Sequence, residues 1–255
     1  MKTAVISGGN GGLGRAIAAA LQARGWRTVL LDRDVAGLEA TASQSPVQVD
    51  LTDGAALEAA VKRVIAAHPA IDLVVYNAGV SQIAAFADTP DATHRRVFEI
   101  NYFAAVAMAR GFLGAVRQAR GTHLAISSVA GFSPLYHRTA YAASKHALEG
   151  FFGSLRSEEA AHGVTVQIAA PSFVATNIGN AAPAPDGLVR PGSAADGVDY
   201  MTPEAAAAEI LRGLDRGRPF IPVGRVARLS WWINRLSPAL FERLMVRNIR
   251  GGQNS

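Results

Sequence analysis

Cysteine is absent from the 255 residues of the chain. The protein therefore forms no disulfide and uses no thiolate as a nucleophile or a metal ligand. The six histidines are scattered, and no two of them are four residues apart, so no metal site is predicted. No run of about 18 apolar residues occurs, so we expect no membrane-spanning helix. No nucleic-acid-binding motif stands out, and we expect no nucleic-acid partner.

Apolar residues, in contrast, make up 49% of the chain, and its length suits one α/β domain. Apolar runs alternate with helical patterns, which is typical of a parallel sheet with helices on both faces. We therefore predict a single doubly wound α/β domain over residues 1–255. No secretion signal precedes the first predicted strand, and together with the lack of cysteine this leads us to expect a cytoplasmic location.

A glycine-rich turn lies near the start of the chain. The segment Thr3–Ser7 reads as a short buried strand, and it runs directly into Gly8-x-x-x-Gly12-x-Gly14 and a helical pattern. Glycines let the backbone approach a pyrophosphate, and a helix N-terminus attracts its negative charge. The spacing differs from the G-x-G-x-x-G fingerprint, so a glycine-rich turn without a ligand is the alternative.

A second stretch, from Ser127 to Lys145, suggests proton chemistry. Tyr141 and Lys145 are four residues apart, which places both side chains on one face of a helix. A neighbouring ammonium favours the phenolate; lowering a phenol pKa from about 10 to 7 takes about 4 kcal/mol. Such a tyrosine could exchange a proton with an alcohol or a carbonyl oxygen, which a serine at Ser127 or Ser128 could hold. The alternative is a surface pair on an ordinary helix.

These two stretches belong to a longer series. It comprises Ser7-Gly8-x-x-x-Gly12-x-Gly14, Asp32, Asp50, Asn77-Ala78-Gly79, Asn101, Ser128, Tyr141-x-x-x-Lys145, and Pro171 with Thr176. In this order and spacing the sequence resembles the short-chain dehydrogenase/reductase family over about residues 3–222. The run from Ser127 to Arg156 is similar to the branches that act on steroids, retinoids and other lipophilic alcohols.

The resemblance implies a Rossmann-like enzyme that passes a hydride between NAD(H) and a secondary alcohol or ketone. Ser128 and Tyr141 would hold the substrate oxygen, and Tyr141 would exchange its proton. Lys145 would lower the pKa of Tyr141 and bind the nicotinamide ribose, while Asn101 would hold a water near it. Ser128 precedes Tyr141 by 13 residues, the family's usual spacing, which favours it over Ser127.

Two alternatives accompany this interpretation. A cofactor-sensing, non-catalytic protein could use the same fold, but such proteins typically lack the tyrosine or the lysine. The second alternative is His137 as the acid or base. We interpret His137 as a bystander, because a histidine in a loop is usually solvated, and we interpret its neighbours Tyr136 and Arg138 in the same way.

The cofactor is predicted to be NAD rather than NADP. Asp32 can accept the adenosine ribose hydroxyls and would repel a 2′-phosphate, whereas Arg33 could bind that phosphate. Ser172 departs from the family's usual Pro-Gly beside the nicotinamide. By resemblance, the predicted cofactor contacts are Gly8, Asn10, Gly11, Gly12, Leu13, Gly14, Asp32, Arg33, Asp50, Leu51, Asn77, Ala78, Gly79, Tyr141, Lys145, Pro171, Ser172, Val174 and Thr176.

The last third of the chain carries two further features. Residues 172–202 are rich in proline, glycine and alanine, and we predict a substrate lid there; a disordered linker is the alternative. Residues 226–249 read as amphipathic helices broken at Ser237-Pro238. This tail could cover the pocket, pack on a second subunit, or lie on a membrane surface; we expect it to pack on protein. By resemblance, we also expect a homodimer or homotetramer.

Overall fold

The fold is built on a seven-stranded parallel sheet with the strand order β3-β2-β1-β4-β6-β7-β9. The computed structural model describes residues 1–176, 188–189 and 201–252. A short antiparallel pair, β5 with β8, lies outside the main sheet. The strands are β1 Thr3–Ser7, β2 Arg27–Asp32, β3 Gln44–Gln48, β4 Leu73–Tyr76, β5 Ser81–Gln82, β6 Thr122–Ile126, β7 Thr165–Pro171, β8 Leu188–Val189 and β9 Phe220–Val223.

The central strand β1 is buried at every residue, as expected when helices cover both faces of a parallel sheet. On one side Thr3 pairs with Arg27 of β2, and on the other Ala4 pairs with Leu73 of β4. The strand order therefore reverses at β1. In sheets of this kind ligands bind beyond the carboxyl ends of the strands at the reversal. The predicted doubly wound α/β fold is confirmed.

Helices pack on both faces of the sheet over two hydrophobic clusters. One cluster centres on Phe112 and Phe152, and the other on Ile17 and Leu21, all of them inaccessible to solvent. The helices are α1 Gly12–Gln22, α2 Gly54–Ala67, α3 Asp91–Phe98, α4 Ala104–Ala119, α5 Thr139–Glu159, α6 Pro203–Asp215, α7 Arg225–Leu236 and α8 Pro238–Gly252.

The outermost strands each contain a proline whose missing N–H lies on the outer edge. In β3, Val49 just past the strand donates its N–H to the carbonyl of Asp32, 2.8 Å away, so alternate residues face β2 and Pro46 faces outward. In β9, the residues on either side of Pro222 face β7 in the same way. Neither proline therefore removes a hydrogen bond between strands of the sheet.

The third strand begins earlier than the sequence predicts. We predict it over residues 47–51, but β3 pairs with β2 only as far as the Asp32–Gln48 position. Asp50 lies past the strand end, where its carboxylate accepts hydrogen bonds from the N–H and the hydroxyl of Thr52 at 2.9 and 2.7 Å. This local turn ends the strand.

The long helix predicted over residues 93–117 is interrupted. A π-helical turn, Glu99–Phe103, separates α3 from α4. Asn101 sits inside this turn and is buried, with its side chain directed at the backbone of Val80. A π turn inserts one extra residue and turns a side chain away from the regular helical spacing.

Most of the predicted lid, residues 172–202, lies outside the described residues. At its ends Val174 bridges to Met201, and near its middle β8 pairs with β5. In the tail, α7 ends at Leu236 and α8 begins at Pro238, on either side of the predicted break.

Candidate active site

Lys145 is the buried cation at the centre of the site. It projects from α5 and is 4% exposed, and its Nζ donates to the carbonyl of Ile126 at the end of β6, 2.9 Å away. Burial lowers the pKa of Lys145 to about 8, and the nearby Glu149 carboxyl opposes that shift. The ammonium is thus held at the carboxyl end of the sheet, near the strand-order reversal.

Tyr141 lies one helical turn before Lys145 and is also buried. Burial raises the pKa of Tyr141, while a hydrogen bond with Ser128 and the charge of Arg138 act to lower it. The net shift is opposite in direction to the predicted one, and the contribution of Lys145 to it stays a prediction. The Lys145 ammonium lies 5.9 Å from the tyrosine ring centroid and bonds to Ile126 instead, so desolvation of the phenolate prevails.

The two adjacent serines point in different directions from a turn beyond the end of β6. β6 ends at Ile126, so Ser127 and Ser128 both lie beyond it. Ser128 caps a short 3₁₀ turn by accepting from the N–H of Ala130 at 3.2 Å, and it hydrogen-bonds Tyr141. Ser127 points the other way. The structure therefore places Ser128, and not Ser127, beside Tyr141.

Glu149 is a site neighbour that the sequence reasoning missed. Its carboxyl accepts a hydrogen bond from the Ser127 hydroxyl at 2.6 Å, and burial raises its pKa to about 7 against the opposing effects of Ser127 and Lys145. A Cβ at Gly131 would overlap both the Ser127 hydroxyl and the Glu149 carboxyl, so only glycine fits there. The signal was available: Glu149 follows Lys145 at the same four-residue spacing that links Lys145 to Tyr141.

Arg138 was interpreted as a bystander, and the structure corrects this. It lies immediately before α5, its Nη1 donates to the Ser81 hydroxyl at 2.9 Å, and its charge acts to lower the pKa of Tyr141. His137 adopts a left-handed backbone with φ of 56°, and its ring stacks on Tyr136 at 3.8 Å. His137 is therefore part of the turn that positions Arg138 at the start of α5.

Asn101 borders the Lys145 pocket. Its Oδ1 accepts from the N–H of Val80 at 2.8 Å, and its Nδ2 donates to the Val80 carbonyl and to the Ser144 hydroxyl, both at 2.9 Å. A Cβ at Gly79 would lie 3.2 Å from Asn101 Oδ1 and 3.5 Å from Lys145 Nζ. The π turn thus delivers the amide to the site, while the water predicted there remains a prediction.

The glycine turn forms a cradle at the N-terminus of α1. Gly8 has a left-handed φ of 62°, and a Cβ at Gly14 would collide with the Gly8 carbonyl. The N-cap, Gly11, offers no side-chain hydrogen bond, and the first turn of α1 carries no acidic residue. The first N–H groups of α1 are therefore free of side-chain caps, and together with the helix dipole they suit a pyrophosphate.

Asn77 and Ala78 tie this cradle to the neighbouring strand. Their N–H groups donate to the Ser7 hydroxyl at 3.0 and 3.1 Å, and the Asn77 side chain donates to the carbonyls of Ser7 and Gly8, both at 3.1 Å. Asn77 thereby holds β1 and β4 together at the strand-order reversal.

The opposite end of the cleft carries two carboxylates. Asp32 ends β2, and its carboxylate accepts from the N–H groups of Asn10 and Asp34 at 2.9 and 3.2 Å. Asp50 is exposed, and hydrogen bonds from Thr52 lower its pKa, with a smaller effect from the charge of Arg33. Leu51 is half-buried against the core. The rim here is acidic and open.

The segment after β7 closes the cleft over the glycine turn. Pro171 ends β7, and the N–H and hydroxyl of Ser172 both reach the Val223 carbonyl, at 3.2 and 3.3 Å. Val174 is buried, and a Cβ at Gly12 would lie 3.0 Å from the Thr176 carbonyl oxygen. Thr176 therefore sits directly over the turn. Leu13 is buried beneath the same turn.

This cleft has the parts that a nicotinamide dinucleotide requires. An uncapped helix N-terminus suits its pyrophosphate, the Asp32 carboxylate suits a ribose, and the other end leads to the buried Tyr141 and Lys145. The fold and the site therefore define a dinucleotide-dependent oxidoreductase. No helix within the described ranges is long and apolar enough to span a bilayer.

Comparison with known proteins identifies the family. The family model described as short chain dehydrogenase matches residues 2–186. Dehydrogenase/reductase SDR family member 7B of Bos taurus is 34% identical to this chain over 270 aligned positions, covering 98% of the chain and 82% of the relative. The corresponding Xenopus laevis protein is 32% identical, covering 94% and 80%. The chain belongs to the short-chain dehydrogenase family.

Solved structures agree with this assignment. A short-chain dehydrogenase from Streptomyces avermitilis superposes with a TM-score of 0.81 at 25% identity and covers 98% of both chains. One from Burkholderia cenocepacia, solved with NADP, gives the same TM-score at 22% identity, with 96% and 99% covered, and supports the fold alone. The protein is thus an oxidoreductase that uses a nicotinamide cofactor and acts on CH–OH groups.

Proposed function

We propose that the protein interconverts a lipophilic secondary alcohol and its ketone with NAD(H). The observation that carries this proposal is the pairing of the Ser128 and Tyr141 hydroxyls beside the buried Lys145 ammonium. Two hydroxyls at one point can hold a single alcohol or carbonyl oxygen, and the phenol can exchange the proton.

The chain's own residues would divide the work as follows. Ser128 donates a hydrogen bond to the substrate oxygen and leaves Tyr141 free to accept the alcohol proton during oxidation or to return it during reduction. The hydride acceptor and donor is the nicotinamide when it is bound. Because burial raises the pKa of Tyr141, positive charge must favour the phenolate; Arg138 acts on it already and Lys145 lies within one turn.

The preference for NAD follows from Asp32. Its carboxylate is held at the end of β2 by two backbone N–H groups, and its remaining lone pairs can accept ribose hydroxyls. The same charge would repel a 2′-phosphate. Arg33 is exposed and favours NADP, so the two residues compete.

A lipophilic substrate is supported by the aromatic residues that follow Ser128. Phe132 packs edge-on against Phe220 with ring centroids 5.8 Å apart, and Phe220 stacks with Trp231 at 6.0 Å. Phe132 lies only four residues past Ser128. The loop that carries the serine hydroxyl therefore continues into apolar surface.

The test is a panel of secondary alcohols and ketones of graded hydrophobicity, assayed with NAD and with NADP by the absorbance of the reduced nicotinamide. We expect turnover to favour the apolar members and NAD, and a matched Tyr141→Phe preparation to lose it. Turnover restricted to small polar alcohols would contradict the lipophilic assignment, and higher kcat/KM with NADP would contradict the NAD assignment.

A further inference from the structure

The outer face of α7 and of the first turn of α8 exposes large apolar side chains. We define this outer face by Leu229, Trp232, Leu236 and Leu240, which are 63, 60, 81 and 48% exposed. Leu229, Trp232 and Leu236 follow one another in α7 at spacings of three and four residues and so form one stripe, and Leu240 lies in the first turn of α8 just past it. Single exposed leucines are ordinary, but a contiguous apolar stripe indicates an interaction surface.

The opposite side of the same segment is firmly attached to the domain. Ala227 and Phe241 are buried, Trp231 stacks on Phe220, and the Asn234 amide donates to the Phe132 carbonyl at 2.6 Å. The outer face is therefore presented at a fixed orientation by a docked helix. The inner side of this segment packs on the domain, whereas its outer side is exposed.

Positive charge surrounds the outer face. From Arg225 to Gly252 the sequence has six arginines and a single acidic residue, Glu242. Arg225 and Arg243 are exposed, and Arg235 lies with its guanidinium 4.5 Å from the centroid of the Trp231 ring. Arg228 forms an ion pair with Glu209 at 2.8 Å and still keeps about half of its side chain exposed.

We infer that this outer face docks the protein on an anionic lipid surface. Leucine and tryptophan side chains partition into the boundary between headgroups and acyl chains, while arginines remain with the phosphates. A second copy of the chain is the other candidate occupant. A two-fold interface would set the same arginine-rich patch against itself, which brings like charges together, whereas an anionic bilayer complements them.

Docking of this kind would also hold the loop after Ser128 close to the bilayer. Because Asn234 of α7 bonds to Phe132 in the loop after Ser128, the stripe and the site are parts of one rigid unit. This consequence rests on the proposed lipophilic substrate, but the docking itself does not. The docking test therefore uses no enzymatic readout.

The experiment is co-sedimentation of the full chain with phosphatidylcholine vesicles, with and without about one third phosphatidylglycerol. We expect binding to the anionic vesicles that weakens as salt rises, since salt screens exposed charges. Leu229→Ser combined with Trp232→Ser and Leu236→Ser should reduce partitioning at least about tenfold, because the variant loses three apolar side chains from the docking surface. Arg225→Gln with Arg243→Gln should reduce both the binding and its salt dependence.

Matched controls use residues of the same type elsewhere on the surface. Phe86→Ser removes an aromatic side chain that is 71% exposed, and Arg63→Gln removes an exposed arginine of α2. Neither should change partitioning. Circular dichroism checks the fold, and Leu236→Ser alone serves if the triple variant is misfolded.

Three results would overturn the inference. Failure of the intact chain to bind anionic vesicles at low salt would rule out docking on a lipid surface. If the stripe variants partitioned into vesicles as strongly as the intact chain, the outer face would not be the docking surface. A smaller particle in sedimentation velocity for Leu229→Ser with Trp232→Ser, without vesicle binding by the intact chain, would assign the face to a second copy.

Discussion

Two carboxyl groups at opposite ends of the cleft accept hydrogen bonds from the same kind of donor, yet their pKa values move in opposite directions. Glu149 accepts from the Ser127 hydroxyl at 2.6 Å and has its pKa raised to about 7. Asp50 accepts from the Thr52 hydroxyl at 2.7 Å and has its pKa lowered. The difference is burial, since Glu149 projects from α5 beside Lys145 and is partly buried, whereas Asp50 is exposed.

The comparison shows where in the cleft burial controls the pKa values. At the buried end, desolvation dominates the pKa of Tyr141, Lys145 and Glu149 alike. At the exposed end, water screens each charge and only local hydrogen bonds remain. Substitutions should therefore have large effects at the Tyr141 end and small effects at the Asp50 end.

Tyr141→Phe should have the largest effect. It removes the hydroxyl that exchanges the proton and keeps the ring, so turnover should fall by about 10²–10⁴ while the fold and cofactor binding persist. Steady-state kinetics with a cofactor-binding titration and a melting curve provide the measurement. Near-normal turnover in a folded variant would show that Tyr141 is not the group that exchanges the proton, and Tyr136 and His137 would be the next candidates.

Lys145→Met should follow, with a loss of both turnover and cofactor affinity. Methionine keeps the apolar stem and removes the buried ammonium, so we expect about a hundredfold lower kcat, within the range for a group that tunes an acid or base. The pKa of Lys145 is lowered to about 8, so its folded state gains stability as pH rises from 8 toward 10.5. If the free energy of unfolding of the wild type did not rise over this pH range relative to the variant, the burial of the Lys145 charge would be contradicted.

Glu149→Gln isolates the effect of one buried carboxyl on stability. Glutamine still accepts from Ser127 but does not ionise. Because the folded pKa of Glu149 is raised to about 7 from 4.5, the folded state retains a proton that the unfolded chain has lost in that window. Wild-type stability should thus fall with rising pH, by up to about 1.4 kcal/mol per pH unit, relative to the variant. Parallel stability curves from urea titrations between pH 5 and 8 would contradict this.

Asp32→Ala tests the exposed end with a smaller expected effect. Removing the carboxylate should lower kcat/KM with NAD and relax the discrimination against NADP by about tenfold, equivalent to about 1.4 kcal/mol. Arg33→Ala is the matched neighbour, and it should shift the ratio the other way. If the native protein already prefers NADP, the exposed arginine dominates and the assignment to Asp32 is wrong.

Asp50→Asn should have the smallest effect of the series. The side chain is exposed and its hydrogen bonds to Thr52 are local, so stability should change by less than about 1 kcal/mol. We expect KM for NAD to rise only a few-fold, measured beside Asp32→Ala. A loss as large as that of Lys145→Met would show that burial does not separate the two ends.

The fold was predictable because its signals are local. Buried apolar runs and helical periodicity marked β1 and the helices. The structure brings Ser128, Tyr141 and Lys145 together, while their catalytic roles stay predictions. Features that depend on distant partners escaped prediction. The π turn places Asn101 against the backbone of Val80, 21 residues away in the sequence, so no local pattern predicts it.

The electrostatics of the site were the hardest part to predict. The sequence shows that a lysine follows Tyr141 by one turn, but not that both are buried or that the lysine bonds to Ile126. Burial reversed the expected direction of the Tyr141 pKa shift. Arg138 and Glu149 escaped prediction in the same way, because only the fold brings Arg138 beside Tyr141 and Glu149 beside Lys145.

The prolines at the two borders of the sheet bear on how the protein behaves at high concentration. A border strand with a continuous row of free N–H groups is a template on which another chain can add a strand, the first step toward fibrous aggregation. Pro46 and Pro222 each remove a donor from the outward side of a strand of five and four residues, respectively. Strand addition would therefore be blocked near the middle of β3 and of β9, which disfavours edge-to-edge aggregation even where the protein is crowded.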